Sequence, residues 1–287
     1  MKASFDFFVA VDWSGAKGST QKGIQVAVCR KGDSPPELVS PPNYKHWSRL
    51  AAISWLNEFA GKESFLVGID FSFAPPYLDE GKYFPGANIS SSRAQDLWFE
   101  IEDKTKNDPH LYAGSFLENE QVSELFHVNK QPGRRYRRRY RVTEQECRNK
   151  GLGPAETFFH LIGPTQVGMG SLCGMRSLLR LQRNIAIWPF ENTAKRSVVV
   201  VEIYTRPFLI MSGAGLKKIR ELEVLNQALD HFHSRSIQQD LSIDDHIGDA
   251  ILSAAGLRFI AEDSKYWHPA AMSEEVACTE GWTFGVP

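Results

Sequence analysis

The sequence predicts an α/β protein in which a mixed sheet is flanked by helices. Two nearly uninterrupted apolar runs, at residues 65–71 and 198–201, have the composition of strands that are buried on both faces. Elsewhere, apolar residues recur at the three-to-four-residue spacing of amphipathic helices. Strands that alternate with helices are typical of this fold class.

The N-terminal part of the chain has the pattern of a β-hairpin. Residues 7–13 form a short apolar run, and residues 24–28 alternate between apolar and other side chains, with glycines between the two segments. The proline-rich stretch 34–42 offers at most one short edge strand. Residues 46–59 have helical spacing, and Gly61 follows as a helix end.

The chain after the fourth strand is less regular. Residues 72–145 have weak periodicity and many charges, which predicts an insertion that is helical in part around 93–102. Three later segments have helical spacing: 172–181, 216–232 and 245–261. The last residues, about 263–287, have the composition of an irregular tail packed on the body.

The order of these elements predicts the topology of the sheet. Three strands, a helix, a strand, a helix and a strand followed by helices are what a five-stranded RNase H-like sheet requires, with the strand order 3-2-1-4-5. The sequence contains no internal repeat. We therefore expect a single domain over residues 1–287.

Composition excludes several classes of protein and of site. The 33 Lys and Arg residues balance the 34 Asp and Glu residues, so net charge indicates no partner. The four cysteines are scattered without a Cys-x-x-Cys pair, which predicts reduced and mostly buried thiols. No segment approaches the roughly 20 apolar residues that span a bilayer. We expect a cytoplasmic protein with no membrane association, and nothing indicates its oligomeric state.

Two aspartates stand at the ends of predicted strands. Asp12 ends the first strand and Asp70 ends the fourth, and in the predicted order these strands are parallel neighbours about 4.8 Å apart. Ala10 and Gly68 lie on the same faces, and their small side chains allow close approach. Both carboxylates should therefore lie in the crevice where open α/β sheets bind ligands.

The helix at 245–261 and the valine strand add further candidates. Asp249 and His246 are three residues apart on one helix face, and Ser253 and Gly256 continue that face as if to pack over the strand ends. Glu202 follows four valines. Oxygen ligands with one imidazole suit Mg²⁺ or Mn²⁺. The predicted catalytic residues are Asp12, Asp70, Glu202, Asp249 and His246, of which the four acids are the predicted metal ligands.

Each acid alone has a simpler interpretation. An aspartate at a strand end often caps a turn, and Asp244 and Asp245 at a helix N-terminus compensate the helix dipole. Four acids at the ends of buried elements favour a site over four separate caps.

A basic run has two interpretations, a nucleic-acid-binding segment and a solvated or disordered loop. Its members are Arg134, Arg135, Arg137, Arg138, Arg139 and Arg141, with Tyr136 and Tyr140 between them. Arginine suits phosphate and tyrosine can stack on bases, so single-stranded or branched nucleic acid is a reasonable partner. Blocks of like charge are also common in loops without such a role.

Several motifs together resemble one family. They are Val-Asp-Trp-Ser-Gly-Ala-Lys at 11–17, Gly-Ile-Asp-Phe-Ser-Phe-Ala-Pro-Pro at 68–76, Val-Glu-Ile-Tyr-Thr-Arg-Pro at 201–207, Arg-Val-Thr-Glu at 141–144, Ile-Gly-Pro-Thr-Gln-Val-Gly at 162–168, Asp-Ala-Ile-Leu-Ser-Ala-Ala at 249–255 and Glu-Gly-Trp-Thr-Phe-Gly at 280–285. The chain resembles the family catalogued as domain of unknown function 429, over nearly its whole length except the insertion around 77–130.

The resemblance implies an RNase H-like fold and a predicted nuclease related to Holliday-junction resolvases. His246-x-x-Asp249 is similar to the last-helix pair of some resolvases. The chain departs from that pattern at Asp70, where resolvase-type enzymes place a glutamate.

These observations favour a metal-dependent nuclease that hydrolyses phosphodiesters of DNA or RNA. One alternative is a non-catalytic nucleic-acid- or protein-binding module on the same fold. Another is a nucleotide-phosphate-binding enzyme of the sugar-kinase and actin class, suggested by Asp12-x-Ser-Gly. That class needs two such domains and an adenosine motif, and the sequence contains neither.

Overall fold

The computed structural model describes residues 5–42, 44–128, 131–163, 166–215, 218–238 and 241–287. Its strands are β1 (Phe7–Asp12), β2 (Gln25–Arg30), β3 (Glu37–Leu38), β4 (Phe65–Asp70), β5 (His127–Val128), β6 (Gln131–Pro132), β7 (Ile185–Ile187) and β8 (Val198–Glu202). Its α-helices are α1 (Arg49–Glu58), α2 (Ala94–Thr105), α3 (Glu120–Ser123), α4 (Val142–Asn149), α5 (Gly168–Leu178), α6 (Thr205–Met211), α7 (Leu222–His231), α8 (Asp245–Ile260), α9 (Ser264–Trp267) and α10 (Glu274–Thr279). Two short 3-10 helices lie at Pro109–Leu111 and Gly114–Glu118.

Six of the strands form one mixed sheet in the order β3-β2-β1-β4-β8-β7. The β1–β2 and β2–β3 pairs are antiparallel, and β4, β8 and β7 run parallel to β1. The α/β class, the N-terminal hairpin and the placement of the valine strand beside β4 are confirmed. The expectation of five strands is wrong, because β7 adds an edge strand whose three residues are too few to give a periodic signal.

Each face of the sheet is covered by helices, as the period of two along the strands requires. Val9, Val11 and Val67 face the core that includes residues of α1, α2 and α5. Ala10 faces the second core, to which α6, α7 and α8 contribute. The close approach of Ile203 leaves room only for glycine at position 68, because a Cβ there would lie 2.6 Å from the Ile203 side chain.

Helix α8 lies on the sheet beside β1 and β2. The Asp244 side chain caps it by accepting a hydrogen bond of 3.0 Å from the Ile247 N–H. The Cys29 thiol on β2 reaches the carbonyl of Ala254 at 3.2 Å, so the helix backbone approaches the sheet closely. Gly256 of α8 lies against α6, where an added Cβ would overlap the Phe208 ring.

The structure corrects two further expectations from the sequence. Of the helix predicted at 216–232, residues 216 and 217 lie outside the described residues, 218–221 are not helical, and α7 begins at Leu222. Helix α6 was not predicted, because seven residues show little period. The C-terminal segment is not an irregular tail. It contains α9 and α10, and its Trp282 and Phe284 side chains are fully buried.

Two observations bear on the exclusions drawn from composition. Cys29, Cys147, Cys173 and Cys278 are all unpaired and the first three are buried, as predicted. Among the helices of the described residues, none combines the length and the apolar character needed to cross a membrane.

Candidate functional site

Asp12 and Asp70 are the last residues of neighbouring parallel strands. They are direct register partners, as are Ala10 and Gly68 two residues earlier. Register partners in parallel strands project to the same side, and adjacent strands lie about 4.8 Å apart. Both carboxylates therefore project from the same edge of the sheet, on the face covered by α8, as the sequence predicts.

Asp249 approaches the pair from the second turn of α8. Its pKa rises from 3.8 to about 7, first because the carboxyl is buried and next because of the negative charge of Asp12. Burial raises the pKa of Asp70 well above its usual value, and the charges of Asp12 and Asp249 raise it further. Burial also raises the pKa of Asp12. The three acids thus form one cluster, which we call the carboxylate site.

A hydroxyl pair orients the central carboxylate. Thr205, the first residue of α6, donates a hydrogen bond of 3.0 Å from Oγ1 to Oδ2 of Asp70. Ser253 of α8 lies 3.1 Å from the same Thr205 oxygen. The valine strand therefore contributes to the carboxylate site through the helix that follows it. Thr205 was missed from sequence, although it lies within the motif at 201–207.

His246 is fixed against Asp12. Its Nδ1 lies 2.6 Å from Oδ2 of Asp12, and this hydrogen bond is the main cause that raises the pKa of the imidazole above 6.5. A Cβ on Gly23 would lie 3.3 Å from Cε1 of His246 and 3.4 Å from Oγ of Ser14. The ring is about half exposed, so Nε2 remains available on the side away from Asp12.

Two cations lie close enough to affect the carboxylate site. The charges of Lys218 and Arg206 lower the pKa of Asp249 and so partly oppose its burial. Lys218 is also within 2.7 Å of Asp245, whose pKa is held below its usual range first by Arg220. Asp245 is thus an ion-paired acid in the first helical turn, and only Asp249 belongs to the cluster.

Glu202, predicted as a fourth ligand, is not brought into the cluster. It pairs in register with Ile69 and therefore lies on the face opposite to Asp70. Its side chain is 4% exposed and forms an ion pair with Arg141, whose Nη1 donates to it at 2.8 Å. The Phe73 N–H and the Thr283 hydroxyl donate to the same carboxylate at 2.7 and 2.6 Å. With Nη2 of Arg141, which donates at 2.5 Å, four donors occupy the Glu202 oxygens within the fold.

The carboxylate site does not already have the arrangement of a metal centre. Within the described parts of the chain, no three His, Cys, Asp or Glu side chains are placed so that they could hold a metal ion together. Asp12 is turned toward His246 and Asp70 toward Thr205. To share a cation, the three carboxylates would have to turn toward one another, and Asp12 could do so through Oδ1 while Oδ2 keeps its contact with His246.

Two arginines of the basic run are part of the protein interior. Arg139 makes a bidentate ion pair with Asp79 and also donates to the carbonyls of Pro76, Lys82 and Tyr83. Arg141 is 1% exposed and is held by Glu144 and Glu202. Neither can contact a nucleic acid as the sequence suggested, because its N–H groups are used within the fold.

The other arginines of the run remain near the surface. Arg134 and Arg135 share the carboxylate of Glu124. Arg137 and Arg138 are 77% and 60% exposed, and their nearest acidic oxygens lie 3.4 and 3.7 Å away. Sequence shows the positive charges of the run but not the acids that folding brings to them.

The loop after β1 is fixed from two sides. Arg49, fully buried in α1, donates to the carbonyls of Ser14 and Ala16. Gly15 lies against the start of α5, where an added Cβ would be 2.6 Å from the carbonyl carbon of Met169. This packing fixes the backbone that follows Asp12.

Comparisons of the chain with models of known protein families, with curated proteins and with solved structures find no match.

Proposed function

We propose that the protein is a metal-dependent nuclease of the RNase H-like class, which hydrolyses phosphodiester bonds at the carboxylate site. The observation that carries this proposal is the convergence of Asp12, Asp70 and Asp249, each with a pKa raised by burial. Buried acids that repel one another destabilise the ionised state unless a cation shares the site. A divalent ion would relieve that repulsion.

The donor set fits such an ion. Carboxylate oxygens are the ligands that Mg²⁺ and Mn²⁺ prefer, and Asp12, Asp70 and Asp249 would hold the ion. When bound, it would supply positive charge for the transition state and promote ionisation of a water molecule. Glu202 has no part in this proposal, because Arg141 occupies it.

His246 would act as the general base that accepts the proton of the attacking water. The Asp12 carboxylate holds Nδ1 and fixes the ring, so Nε2 is the nitrogen that can accept a proton. The water oxygen attacks phosphorus, its proton passes to Nε2, the bond between phosphorus and the leaving oxygen breaks, and the leaving oxygen takes up a proton from solvent water. Lys218 and Arg206 place positive charge beside the carboxylates, where a phosphate would lie.

The topology supports the fold assignment. The order β3-β2-β1-β4-β8 with an antiparallel hairpin followed by parallel strands is the order expected for an RNase H-like sheet, with β7 added at one edge. Acids at the ends of the first and fourth strands and on the last long helix agree with the resemblance to domain of unknown function 429.

Nucleic acid is the proposed substrate, and the exposed part of the basic run would assist its binding. If Arg137 and Arg138 each neutralise one phosphate of a single strand, the log–log dependence of affinity on salt should have a contribution of about −1.4 from the pair. Substituting both with glutamine should remove that contribution and leave the remaining slope unchanged.

A cleavage screen tests the proposal. Single-stranded, duplex, hybrid and branched nucleic acids would be incubated with Mn²⁺ and either the wild type or Asp70→Asn. We expect cleavage of at least one substrate by the wild type and none by Asp70→Asn. Asp103→Asn is a matched control, because Asp103 is an exposed carboxylate of α2 paired with Lys106. Equal cleavage by wild type and Asp70→Asn, or no cleavage of any substrate, would contradict the proposal.

A further inference from the structure

The loop between β1 and β2, residues 13–24, carries two lysines beside the carboxylate site, and we call it the lysine loop. It begins directly after Asp12, the last residue of β1. Gly23 brings the loop against His246, because a Cβ on that glycine would lie 3.3 Å from Cε1 of the imidazole. Lys22 precedes Gly23, and Lys17 lies five residues after Asp12. Both lysines therefore belong to the edge of the sheet from which the carboxylates project.

The positive charge of the lysine loop is not neutralised within the fold. The loop contains no Asp or Glu. Lys17 and Lys22 are exposed, and among the described residues no carboxylate lies within 4.0 Å of either ammonium group. In contrast, each surface arginine of the basic run has an acidic oxygen at 3.7 Å or less. The lysine loop thus offers charge that an anionic partner can meet without displacing an acid.

The backbone of the lysine loop is held from inside the protein. Arg49, fully buried in α1, donates at 2.6 Å to the carbonyl of Ala16. Gln21, also buried, donates from its backbone N–H to the carbonyl of Trp47 at 2.8 Å and from Nε2 to the carbonyl of Gly18 at 2.7 Å. These bonds hold the residues next to both lysines. A surface with a fixed backbone loses less conformational entropy when a partner binds.

An aromatic ring lies beside one of the lysines. Nζ of Lys17 is 6.0 Å from the centroid of the Tyr112 ring, which is half-buried. Arg49 also donates at 3.0 Å to the carbonyl of His110, so one buried side chain fixes both this segment and the lysine loop. Proteins that bind single-stranded nucleic acids combine cations for the phosphates with aromatic rings on which bases stack. The pairing of Lys17 with Tyr112 fits such a strand.

We propose that the lysine loop binds the phosphate backbone of a single-stranded nucleic acid beside the carboxylate site, with Lys17 and Lys22 each contacting one phosphate. The choice of a nucleic acid as the partner rests on the proposed function. A phosphate at the lysine loop displaces water and counterions, whereas at the basic run it must also compete with carboxylates. Contacts to phosphates position a strand without reading its sequence, so the lysine loop supplies affinity and placement.

The test measures affinity in the absence of cleavage. A fluorescently labelled single-stranded oligonucleotide of mixed sequence would be titrated with the full chain in EDTA, and anisotropy would be recorded over a range of salt concentrations. In the double variant Lys17→Gln with Lys22→Gln, the log–log slope of affinity against salt should become shallower by about 1.4, as two phosphate contacts on a single strand require. By the same rule the affinity should fall roughly ten- to thirtyfold at about 0.1 M salt.

Lys62→Gln with Lys195→Gln is the control that matches this change in charge. Both lysines are exposed and, among the described residues, have no carboxylate within 4.0 Å. They precede β4 and β8, and so lie at the ends of these strands opposite to Asp70. The control should keep the slope and affinity of the wild type. Circular dichroism melting verifies that both double variants fold.

The outcomes separate this inference from the proposed function. Unchanged slope and affinity in the lysine-loop variant, equal losses in the control, or no binding by the wild type would overturn the inference. Polyglutamate that binds at least as tightly as the oligonucleotide would also overturn it, because the surface would then fit an acidic protein segment. Binding that depends on the lysine loop without cleavage of any substrate would support the inference while the nuclease proposal fails. Cleavage by a protein whose binding ignores both lysines would have the opposite meaning.

Discussion

Replacing Asp249 with asparagine should stabilise the metal-free protein at neutral pH. In the folded protein the pKa of Asp249 is about 7, whereas an unperturbed aspartate has a value of 3.8. Between these values the unfolded chain loses its proton while the folded chain retains it. The contribution of Asp249 to stability is therefore fully present below about pH 4 and is lost as the pH rises toward 7. Asparagine cannot ionise and does not suffer this loss.

The magnitude follows from the distance between the two pKa values. Each unit of difference between the folded and unfolded pKa corresponds to about 1.4 kcal/mol of unfolding free energy. A pKa of about 7 in place of 3.8 therefore lowers the stability of the wild type by roughly 4 kcal/mol at pH 8. Removing the charge of Asp249 also lowers the pKa of Asp70, since that charge is one of its causes. Both effects have the same sign. The variant should equal the wild type near pH 4 and exceed it by up to roughly 4 kcal/mol at pH 8.

Urea unfolding across pH 4 to 8.5 in EDTA measures this difference. Asp245→Asn is the matched control, because Asp245 lies one turn earlier on the same helix and its pKa is held below the usual range by Arg220 and Lys218. A carboxyl group whose pKa is lower in the folded than in the unfolded protein stabilises the fold at pH values above its unfolded pKa. That contribution is lost as the pH falls through the folded pKa. Asp245→Asn should therefore be destabilised at pH 7. An Asp249→Asn protein less stable than wild type at pH 8 would refute the reasoning.

Three further predictions concern other parts of the structure. Arg141→Gln should lower the free energy of unfolding in urea by about 3–5 kcal/mol, because it leaves buried carboxylates without their cation. Unchanged stability would mean that this arginine is available for another role. The imidazole of His246, followed by NMR, should have a pKa above 6.5 in the wild type and a lower pKa in Asp12→Asn, because the hydrogen bond from Asp12 is the main cause of its rise. The pair should therefore stabilise the fold below pH 6.5 and lose this effect as the pH rises through the folded pKa. Gly15→Ala should destabilise the protein by about 1–3 kcal/mol, since its Cβ would collide with backbone. Gly170→Ala, whose Cβ would lie 3.7 Å from the nearest atom, should be tolerated, and thermal unfolding of the two variants and the wild type measures the difference.

The carboxylate pair could be predicted from the sequence because it depends on local signals. The apolar runs identify β1 and β4, and the order of elements makes them parallel neighbours, so Asp12 and Asp70 at their ends must meet. Asp249 follows from the helical period of α8 and its small residues. Neither step requires knowledge of a partner far away in the chain.

Glu202 could not be placed in the same way, because its role depends on register. An offset of one residue between β4 and β8 pairs it with Ile69 and turns it to the opposite face. Its partner Arg141 lies 61 residues earlier in the chain and within a run whose charges looked alike. Folding brings Asp79 to Arg139 and Glu124 to Arg134 and thereby divides that run into interior and surface members. A sequence shows charges but not which of them folding will pair.

A calorimetric titration of Mn²⁺ into the metal-free protein tests the central claim most directly. The wild type should bind the ion saturably and release protons at pH 6, because Asp249, with its pKa of about 7, is mostly protonated there and must ionise to become a ligand. Repeating the titration in buffers of different ionisation enthalpy counts those protons. Asp70→Asn should bind at least tenfold more weakly, while Asp103→Asn should match the wild type. Absence of binding by the wild type at millimolar Mn²⁺, or the same affinity in Asp70→Asn, would contradict a metal-dependent carboxylate site.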